Sequence, residues 1–218
     1  MTTLSLFDAE RSDGGVDELC PGAMVLRGFA ARRERELAQA VDGVARAAPF
    51  RHLITPGGYR MSVAMTNCGD VGWISDETGY RYEACDPLTG ERWPDMPEVI
   101  RELAREAAMR AGFERFAPNA CLVNRYEPRA RLSLHQDKDE QDFSAPIVSV
   151  SLGVPAAFLF GGLRRKDPTL RVPLTHGDVV VWGGPARLRY HGVLALKQAE
   201  HPFAGALRYN LTLRTAVT

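Results

Sequence analysis

Apolar residues recur at helical spacing in two places in the first half of the chain. This periodicity predicts amphipathic helices over residues 30–48 and 95–112. In the second helix Asp95 is a candidate cap, Pro97 suits the first turn and Gly112 ends the helix. The apolar positions that define the helices are Leu37, Val41 and Val44 in the first and Ile100, Leu103, Ala107 and Ala111 in the second.

The second half of the chain consists of short β-forming runs separated by Gly, Pro or Asp. Their density after residue 116 predicts an all-β barrel or sandwich. The predicted strands cover residues 121–126, 146–153, 156–162, 170–174, 177–184, 186–192 and 207–214, with two earlier ones over 24–29 and 61–67.

Two further segments differ from these elements. Residues 1–21 are polar and predict a partly ordered lead-in. Within about residues 50–95, the Gly-rich part that follows residue 67 carries four large aromatic residues and predicts a hairpin or lid outside the core. These aromatic residues are Trp73, Tyr80, Tyr82 and Trp93.

Length and composition suit one domain, residues 1–218, with a sizeable core. Hydrophobic residues make up 45% of the chain and charged residues 25%, which is typical of a globular protein. The sequence has neither a bilayer-length apolar run nor the pattern of a secretory signal, so we expect a cytoplasmic protein with no membrane partner. Its four cysteines are expected to be reduced thiols.

Charge limits how the protein could bind nucleic acid. The 27 basic residues balance 27 acidic ones, so we expect at most a local basic patch rather than a broadly basic surface. Candidate patches are residues 125–131, 163–171 and 186–189, each of which could instead be an ordinary solvated face.

The pair His135 and Asp137 is the first candidate for metal chemistry. In an extended segment these two side chains point to the same face and could bind one ion. His191 is the best third ligand, because it follows a strongly apolar strand and Gly192 leaves room beside it. Two histidines and one carboxylate match the facial triad of non-haem iron(II) oxygenases, and zinc is the alternative metal.

The run "RYNLTLR" is the second candidate. In a strand, Arg208, Asn210, Thr212 and Arg214 share one face, with the two arginines roughly 20 Å apart. If this face were exposed to solvent, two arginines on it would need no special explanation. An inward face would require an anionic partner, and a small dicarboxylate could satisfy both arginines. Together with the metal ligands, this pattern indicates an oxygenase that uses iron(II) and 2-oxoglutarate.

Several segments spread along most of the chain resemble segments of one known family, and they occur in the same order as in that family. They are "TPGGYRMSVAMTNCG", "NRYEPRARLSLHQDKDE", "APIVSVSLG", "FGGLRRKDP", "HGDVVVWGG", "YHG" and "RYNLTLR". With these motifs the chain resembles the AlkB family of DNA and RNA dealkylation dioxygenases. It departs at Arg131, where a well-known member has lysine. Residues 1–21 and the tail after Arg214 match poorly.

The resemblance implies a mainly β fold, a double-stranded β-helix of the jelly-roll, cupin-like type over about 116–214. Two N-terminal helices and a nucleotide-recognition lid at about 50–95 would pack on it. The implied ligands are His135, Asp137 and His191 for iron(II), and Asn124, Tyr126, Arg208, Asn210 and Arg214 for 2-oxoglutarate. The implied substrate contacts are Trp73, Tyr80 and Asp139 at the base, with His135 as the opposite wall, and Thr55, Tyr59, Arg131, Lys138 and Arg165 at the backbone or pocket mouth.

The implied activity is oxidative demethylation of bases such as 1-methyladenine and 3-methylcytosine. It would consume O2 and 2-oxoglutarate and release formaldehyde, succinate and CO2, repairing the lesion by direct reversal. Single- or double-stranded alkylated DNA is the expected partner, with RNA left open, and the expected state is a monomer. The alternatives are a hydroxylase of proteins or small molecules and a non-catalytic cupin-like module. The aromatic lid argues against the first and the dicarboxylate site against the second.

Overall fold

The computed structural model describes residues 14–217, which form two helices and fourteen strands. The elements of the first half are β1 (Val16–Cys20), β2 (Ala23–Leu26), α1 (Glu34–Ala47), β3 (Arg51–Ile54), β4 (Arg60–Gly69), β5 (Gly72–Asp76), β6 (Gly79–Glu83) and α2 (Glu98–Arg110). The second half contains β7 (Ala120–Tyr126), β8 (Leu132–His135), β9 (Ile147–Gly153), β10 (Ala156–Phe160), β11 (Leu170–Leu174), β12 (Val179–Trp182), β13 (His191–Val193) and β14 (Arg208–Arg214).

Two antiparallel sheets face each other in the jelly-roll arrangement that the motifs imply. The larger sheet has eight strands in the order β1-β2-β12-β9-β14-β7-β4-β3. The smaller has the order β11-β10-β13-β8, and β5 and β6 form a separate hairpin. The mainly β fold class is therefore confirmed.

Strand β14 shows why the large sheet can be covered on both faces. Leu211 and Leu213 belong to the apolar cluster that also contains the buried stripes of α1 and α2. The alternate residues face the space between the two sheets and are all buried. These residues are Arg208, Asn210, Thr212 and Arg214. The inward-facing alternative for this run is therefore the one that the fold adopts.

Both predicted helices are present, but the start of the second differs from the prediction. Asp95 does not cap α2, because the helix begins after Pro97 and has no side-chain cap. Gly112 does end it: this residue has a φ of +86°, and the Phe113 amide donates back to the Ala108 carbonyl at 2.8 Å.

Three other predictions require correction. Residues 16–20 of the supposed lead-in form an edge strand of the large sheet, while residues 1–13 lie outside the described part. Trp93 is buried beside Ala48 and Ile74 rather than exposed on a lid. The run 186–192 is a strand only from His191 onward, because a 3₁₀ turn over Gly184–Ala186 precedes it.

The candidate patch at 186–189 is not an exposed basic face. Arg187 is 3% exposed and paired with Glu140, and Arg189 lies over the Phe160 ring. All four cysteines are free thiols, as predicted. Among residues 14–217, no helix is long and apolar enough to cross a membrane.

Candidate active site

Strand pairing in the small sheet brings the predicted metal ligands together. His135 ends β8 and lies directly opposite His191, the first residue of β13. Gly192 is needed for this pairing, since a Cβ there would lie 2.7 Å from the Leu132 carbonyl oxygen. Asp137 follows β8 in irregular chain rather than within an extended strand, yet it still reaches both rings.

The geometry of the three side chains suits one metal ion. The Nε2 atom of His135 lies 3.6 Å from Asp137 Oδ1, and that of His191 lies 3.7 Å from Oδ2. All three candidate ligand atoms lie within 4.8 Å of one another. Each histidine Nδ1 contacts a backbone carbonyl, at 2.8 and 3.0 Å, which favours a proton on Nδ1 and a free lone pair on Nε2.

Electrostatics prepare two of these ligands to bind a cation. Burial lowers the pKa of His191 to about 4, so its ring is neutral at pH 7. Burial opposes ionisation of Asp137, but Arg214 and the two histidines outweigh it and hold the pKa well below its usual value. At neutral pH neither residue carries a proton that a metal would have to displace.

Arg214 has a different immediate partner from the one implied by the motifs. Its Nε and Nη2 donate to Asp137 Oδ2 at 3.0 and 2.6 Å, and its Nε lies 3.2 Å from Glu140 Oε1. The guanidinium thus already has two carboxylate partners. Arg214 also lines the cavity beside the metal ligands, so its contact with 2-oxoglutarate stays a prediction.

Arg208 presents the opposite case, a guanidinium with unused donors. It is 1% exposed, and only Nη2 donates to a side chain, to Ser151 Oγ at 3.1 Å. Among the described residues, its Nε and Nη1 have no hydrogen-bond acceptor. A buried charge of this kind calls for an anion. The side chain lies over the Tyr126 ring, 4.9 Å from the centroid.

One cavity joins this unpaired guanidinium to the metal ligands. It is lined by His135 and His191 at one end and by all five residues expected to hold 2-oxoglutarate. The Asn124 side-chain oxygen also lacks a partner among the described residues, but it is an acceptor and does not pair with a carboxylate. A dicarboxylate that reaches from the metal to Arg208 fits the unused guanidinium donors, so the residues present suit 2-oxoglutarate.

The β5–β6 hairpin forms the wall of a second, open groove above the metal site. Trp73 and Tyr80 stack with their ring centroids 5.6 Å apart and their planes 11° apart. The Trp73 indole nitrogen donates to Asp139 Oδ2 at 2.9 Å. The expected arrangement had both rings around a base, whereas here the two rings contact each other.

The groove gathers every residue that was expected at the nucleic-acid substrate. Its walls include the metal ligands His135 and Asp137, so it opens directly onto the candidate metal centre. The other predicted residues that line it are Thr55, Tyr59, Trp73, Tyr80, Arg131, Lys138, Asp139 and Arg165. Tyr190 also lines this groove and is partly exposed.

Sequence patterns did not reveal the residues that support these groups from behind. The Asn67 side chain both donates to and accepts from the Trp73 backbone, at 3.0 Å each. Gln136 donates to the Leu188 carbonyl at 2.6 Å. Glu140 and Arg187 form a buried ion pair behind Asp137. Glu140 lies in a strongly polar stretch of sequence, and the chain order does not show which partners meet.

A jelly roll with two histidines and one carboxylate converging beside an arginine-lined cavity defines a metal-dependent oxygenase. The family model of the 2OG-Fe(II) oxygenase superfamily matches residues 22–214. The chain is 58% identical to the alpha-ketoglutarate-dependent dioxygenase AlkB of Salmonella typhimurium, over 92% of this chain and 93% of that protein. The Escherichia coli protein of the same name is 55% identical, with the same coverage.

A solved structure of OsALKBH1 superimposes with a TM-score of 0.80 at 28% identity, covering 92% of this chain and 99% of the other. The chain therefore belongs to the 2OG-Fe(II) oxygenase superfamily and, within it, to the AlkB dioxygenases. It is an enzyme that uses iron(II), 2-oxoglutarate and O2.

Proposed function

We propose that this dioxygenase removes N-linked methyl groups from N1 of adenine and N3 of cytosine in DNA, restoring the normal base directly. Membership of the AlkB dioxygenases makes oxidative demethylation of alkylated nucleic-acid bases its activity. The observation that carries the finer proposal is the groove in which Trp73, Tyr80 and Asp139 stand over the metal ligands.

The reaction that fits this site oxidises a C–H bond rather than displacing a poor leaving group. Bound iron(II) and 2-oxoglutarate supply the activation of O2. One oxygen atom is incorporated into the methyl group and the other into succinate, with loss of CO2. The N-hydroxymethyl base then releases formaldehyde, with no further oxidant needed. In this proposal His135, Asp137 and His191 hold the metal.

The co-substrate is held by the inward face of the large sheet. Arg208 pairs with its distal carboxylate, because this guanidinium has two unused donors and is excluded from water. Tyr126 shields that ion pair from one side. The other residues proposed to contact 2-oxoglutarate are Asn124, Asn210 and Arg214, which line the same cavity.

The groove suits a base that carries a positive charge. Methylation at N1 of adenine or N3 of cytosine leaves a cationic ring, and cationic rings are attracted to aromatic faces. Trp73 and Tyr80 supply these faces, with the His135 ring as the opposite wall. Asp139 supplies a carboxylate at the polar edge of the base.

Selectivity then follows from the cost of extruding the base. A methylated base that cannot pair costs less to extrude, so the lesion is selected without sequence readout. Exposed Arg131, Lys138 and Arg165 at the groove mouth contact phosphates, with Thr55 and Tyr59 beside them. We propose a monomer that acts in the cytoplasm on single- or double-stranded alkylated DNA, and RNA is tested beside DNA.

The test is mass spectrometry of a short single-stranded DNA that contains one 1-methyladenine. The protein is incubated in air with iron(II), 2-oxoglutarate and ascorbate, beside His135→Ala and a matched RNA substrate. We expect loss of one methylene mass with the wild type and no change with His135→Ala. Succinate is measured in the same samples.

Each other result has a distinct meaning. Succinate formation without any change in DNA mass would keep the oxygenase site and exclude this substrate. No succinate from a folded, iron-loaded sample would show that the three residues do not form a working iron site. Demethylation of RNA but not DNA would move the proposal to RNA.

A further inference from the structure

A buried charge network lies behind Asp137. It consists of two guanidiniums, Arg187 and Arg214, and two carboxylates, Asp137 and Glu140, all less than 9% exposed. Their formal charges cancel, which is the condition under which charges tolerate burial. None of the chemical steps above uses Glu140 or Arg187.

The contacts of the network restrain the metal carboxylate at several points. Arg214 donates to Asp137 Oδ2, as described above, and Arg187 Nη1 donates to the Asp137 backbone carbonyl at 2.8 Å. Glu140 joins the two guanidiniums, with Oε1 3.2 Å from Arg214 Nε and Oε2 3.0 Å from Arg187 Nη2. A shift of Asp137 therefore has to move Arg214, and Glu140 with it.

A single hydroxyl extends this network to the lid. Tyr82 lies on β6, and its OH donates to Glu140 Oε1 at 2.7 Å. Its direct cross-strand partner in the hairpin is Trp73, the base-stacking residue. Residues directly opposite in an antiparallel pair share one face and restrain each other. The position of the Trp73 ring is thus linked to Asp137 through the side chains of Tyr82, Glu140 and Arg214.

We propose that Tyr82 and Glu140 are positioning residues that couple the β5–β6 lid to the metal carboxylate, so that metal binding orders the lid and an ordered lid strengthens metal binding. This inference rests on the proposed metal site. The two effects are reciprocal, because a coupling free energy between two sites acts equally in both directions.

The hairpin offers a matched control. Ser75 Oγ on β5 donates to the Ile54 carbonyl at 2.6 Å and so also ties the lid to the body of the protein. This bond has no link to Asp137. Ser75→Ala and Tyr82→Phe each remove one hydroxyl that anchors the same hairpin, but only the second removes a bond to the network.

The experiment uses the full chain with cobalt(II) as the metal probe. Cobalt affinity is measured from the visible absorption of the bound ion. Backbone amide exchange of residues 72–83 is measured with and without cobalt and 2-oxoglutarate. The samples are wild type, Tyr82→Phe, Glu140→Gln, the double variant and Ser75→Ala.

We expect Tyr82→Phe and Glu140→Gln each to weaken cobalt binding about tenfold, as is usual for residues that support metal ligands. Cobalt should slow hairpin exchange in the wild type and in Ser75→Ala, and should fail to do so in Tyr82→Phe. The double variant should bind cobalt no more weakly than Glu140→Gln, because both changes break the same linkage.

Two results would overturn the inference in different ways. If Tyr82→Phe binds cobalt like the wild type and its hairpin responds to cobalt like that of Ser75→Ala, the coupling is absent and the metal site stands. If the wild type binds no cobalt, the proposed metal site fails, and the coupling fails with it.

Discussion

At the scale of single residues, Arg208 shows how a ligand site leaves a physical trace in the protein alone. Its buried donors lack acceptors among residues 14–217, so the free protein bears a cost that a bound carboxylate removes. A side chain selected only for stability would not have this property.

This cost leads to a prediction for Arg208→Met. The ligand-free variant should be at least as stable as the wild type in thermal unfolding, because an unpaired buried charge is removed. Its affinity for 2-oxoglutarate should fall about 100-fold, the loss expected when a buried ion pair loses one partner. The stability of the ligand-free variant and its affinity for 2-oxoglutarate are both obtained from melting curves recorded with and without 2-oxoglutarate.

Arg171→Met, at an exposed position of β11, is the control and should retain the full 2-oxoglutarate shift. A large destabilisation of ligand-free Arg208→Met would contradict the account, since it would make Arg208 a structural residue.

The meeting of His135 with Asp137 and the shared face of the β14 residues could be predicted, because spacing in the chain reflects strand geometry. His135 and Asp137 are two apart, and Arg208 to Arg214 alternate along one strand. Glu140, Arg187 and Tyr82 could not be predicted in the same way. Their contacts depend on how β6, the loop after β8 and the turn before β13 approach each other.

At the scale of elements, the β5–β6 hairpin fixes the two rings proposed to contact the base to different degrees. Trp73 is fixed at its backbone by Asn67 and at its indole by Asp139, whereas Tyr80 is 46% exposed and fixed mainly by stacking. Tyr80 is therefore the more adaptable wall of the pair.

For Tyr80→Ala we predict a weaker complex with methylated DNA and an unchanged metal site. The KM for a 1-methyladenine oligonucleotide should rise about tenfold, in line with the loss of one base–aromatic stack. Cobalt affinity should stay at the wild-type value. Leu88→Ala, at an exposed loop residue, should change neither quantity. A wild-type KM in Tyr80→Ala would remove this ring from the substrate contacts.

A second element, the loop after β6, is fastened to β3 by an ion pair that titrates. Burial opposes ionisation of Asp86, but hydrogen bonds from Arg51 and from the Leu88 amide outweigh it and hold the pKa below its usual value. A lowered pKa in the folded state means that this stabilisation is present above the unfolded-state pKa, about 3.9. It is lost as the pH falls through the folded-state value.

Asp86→Asn should therefore lower the free energy of unfolding by about 2 kcal/mol at pH 7. The difference from the wild type should shrink as the pH is lowered below about 4. Urea unfolding at several pH values measures both. Asp70→Asn removes the same charge from an exposed site and should have little effect. A difference that persists at low pH would mean that Asp86 stabilises the loop without its charge.

The elements that could be predicted are those in which one pattern dominates. Helical periodicity in α1 reproduces the observed burial, and alternation in β14 separates its apolar face from its polar face, although both are buried. The prediction of a strand over 186–192 was wrong because Gly184 and Pro185 start a 3₁₀ turn. The local geometry of this turn overrides the β-forming residues after it. The prediction that Trp93 lies outside the core was wrong because its burial depends on a distant contact with Ala48, which the local sequence does not reveal.

At the scale of the whole molecule, charge is balanced overall but concentrated locally. The chain carries 27 basic and 27 acidic residues. The three cations proposed to contact phosphates, Arg131, Lys138 and Arg165, line the groove over the metal ligands together with exposed Arg60. Nucleic-acid binding should therefore depend on few phosphate contacts.

We predict a shallow salt dependence for binding to single-stranded DNA. Three phosphate contacts give a slope of log K against log salt of about −2, at roughly −0.7 per contact. Fluorescence anisotropy over a range of salt concentrations measures the slope. Replacing all three cations with glutamine should bring the slope close to zero. A slope steeper than about −5 in the wild type would place the main contact surface elsewhere.

The position of β14 in the large sheet has a consequence for the order of events during synthesis. This last strand lies between β9 and β7 and carries both Arg208 and Arg214. The central pairings of the sheet, and the support for Asp137, therefore depend on residues that the ribosome adds after the other thirteen strands. The cavity proposed for the co-substrate therefore lacks Arg208 until β14 has left the ribosome, however early the other strands pair.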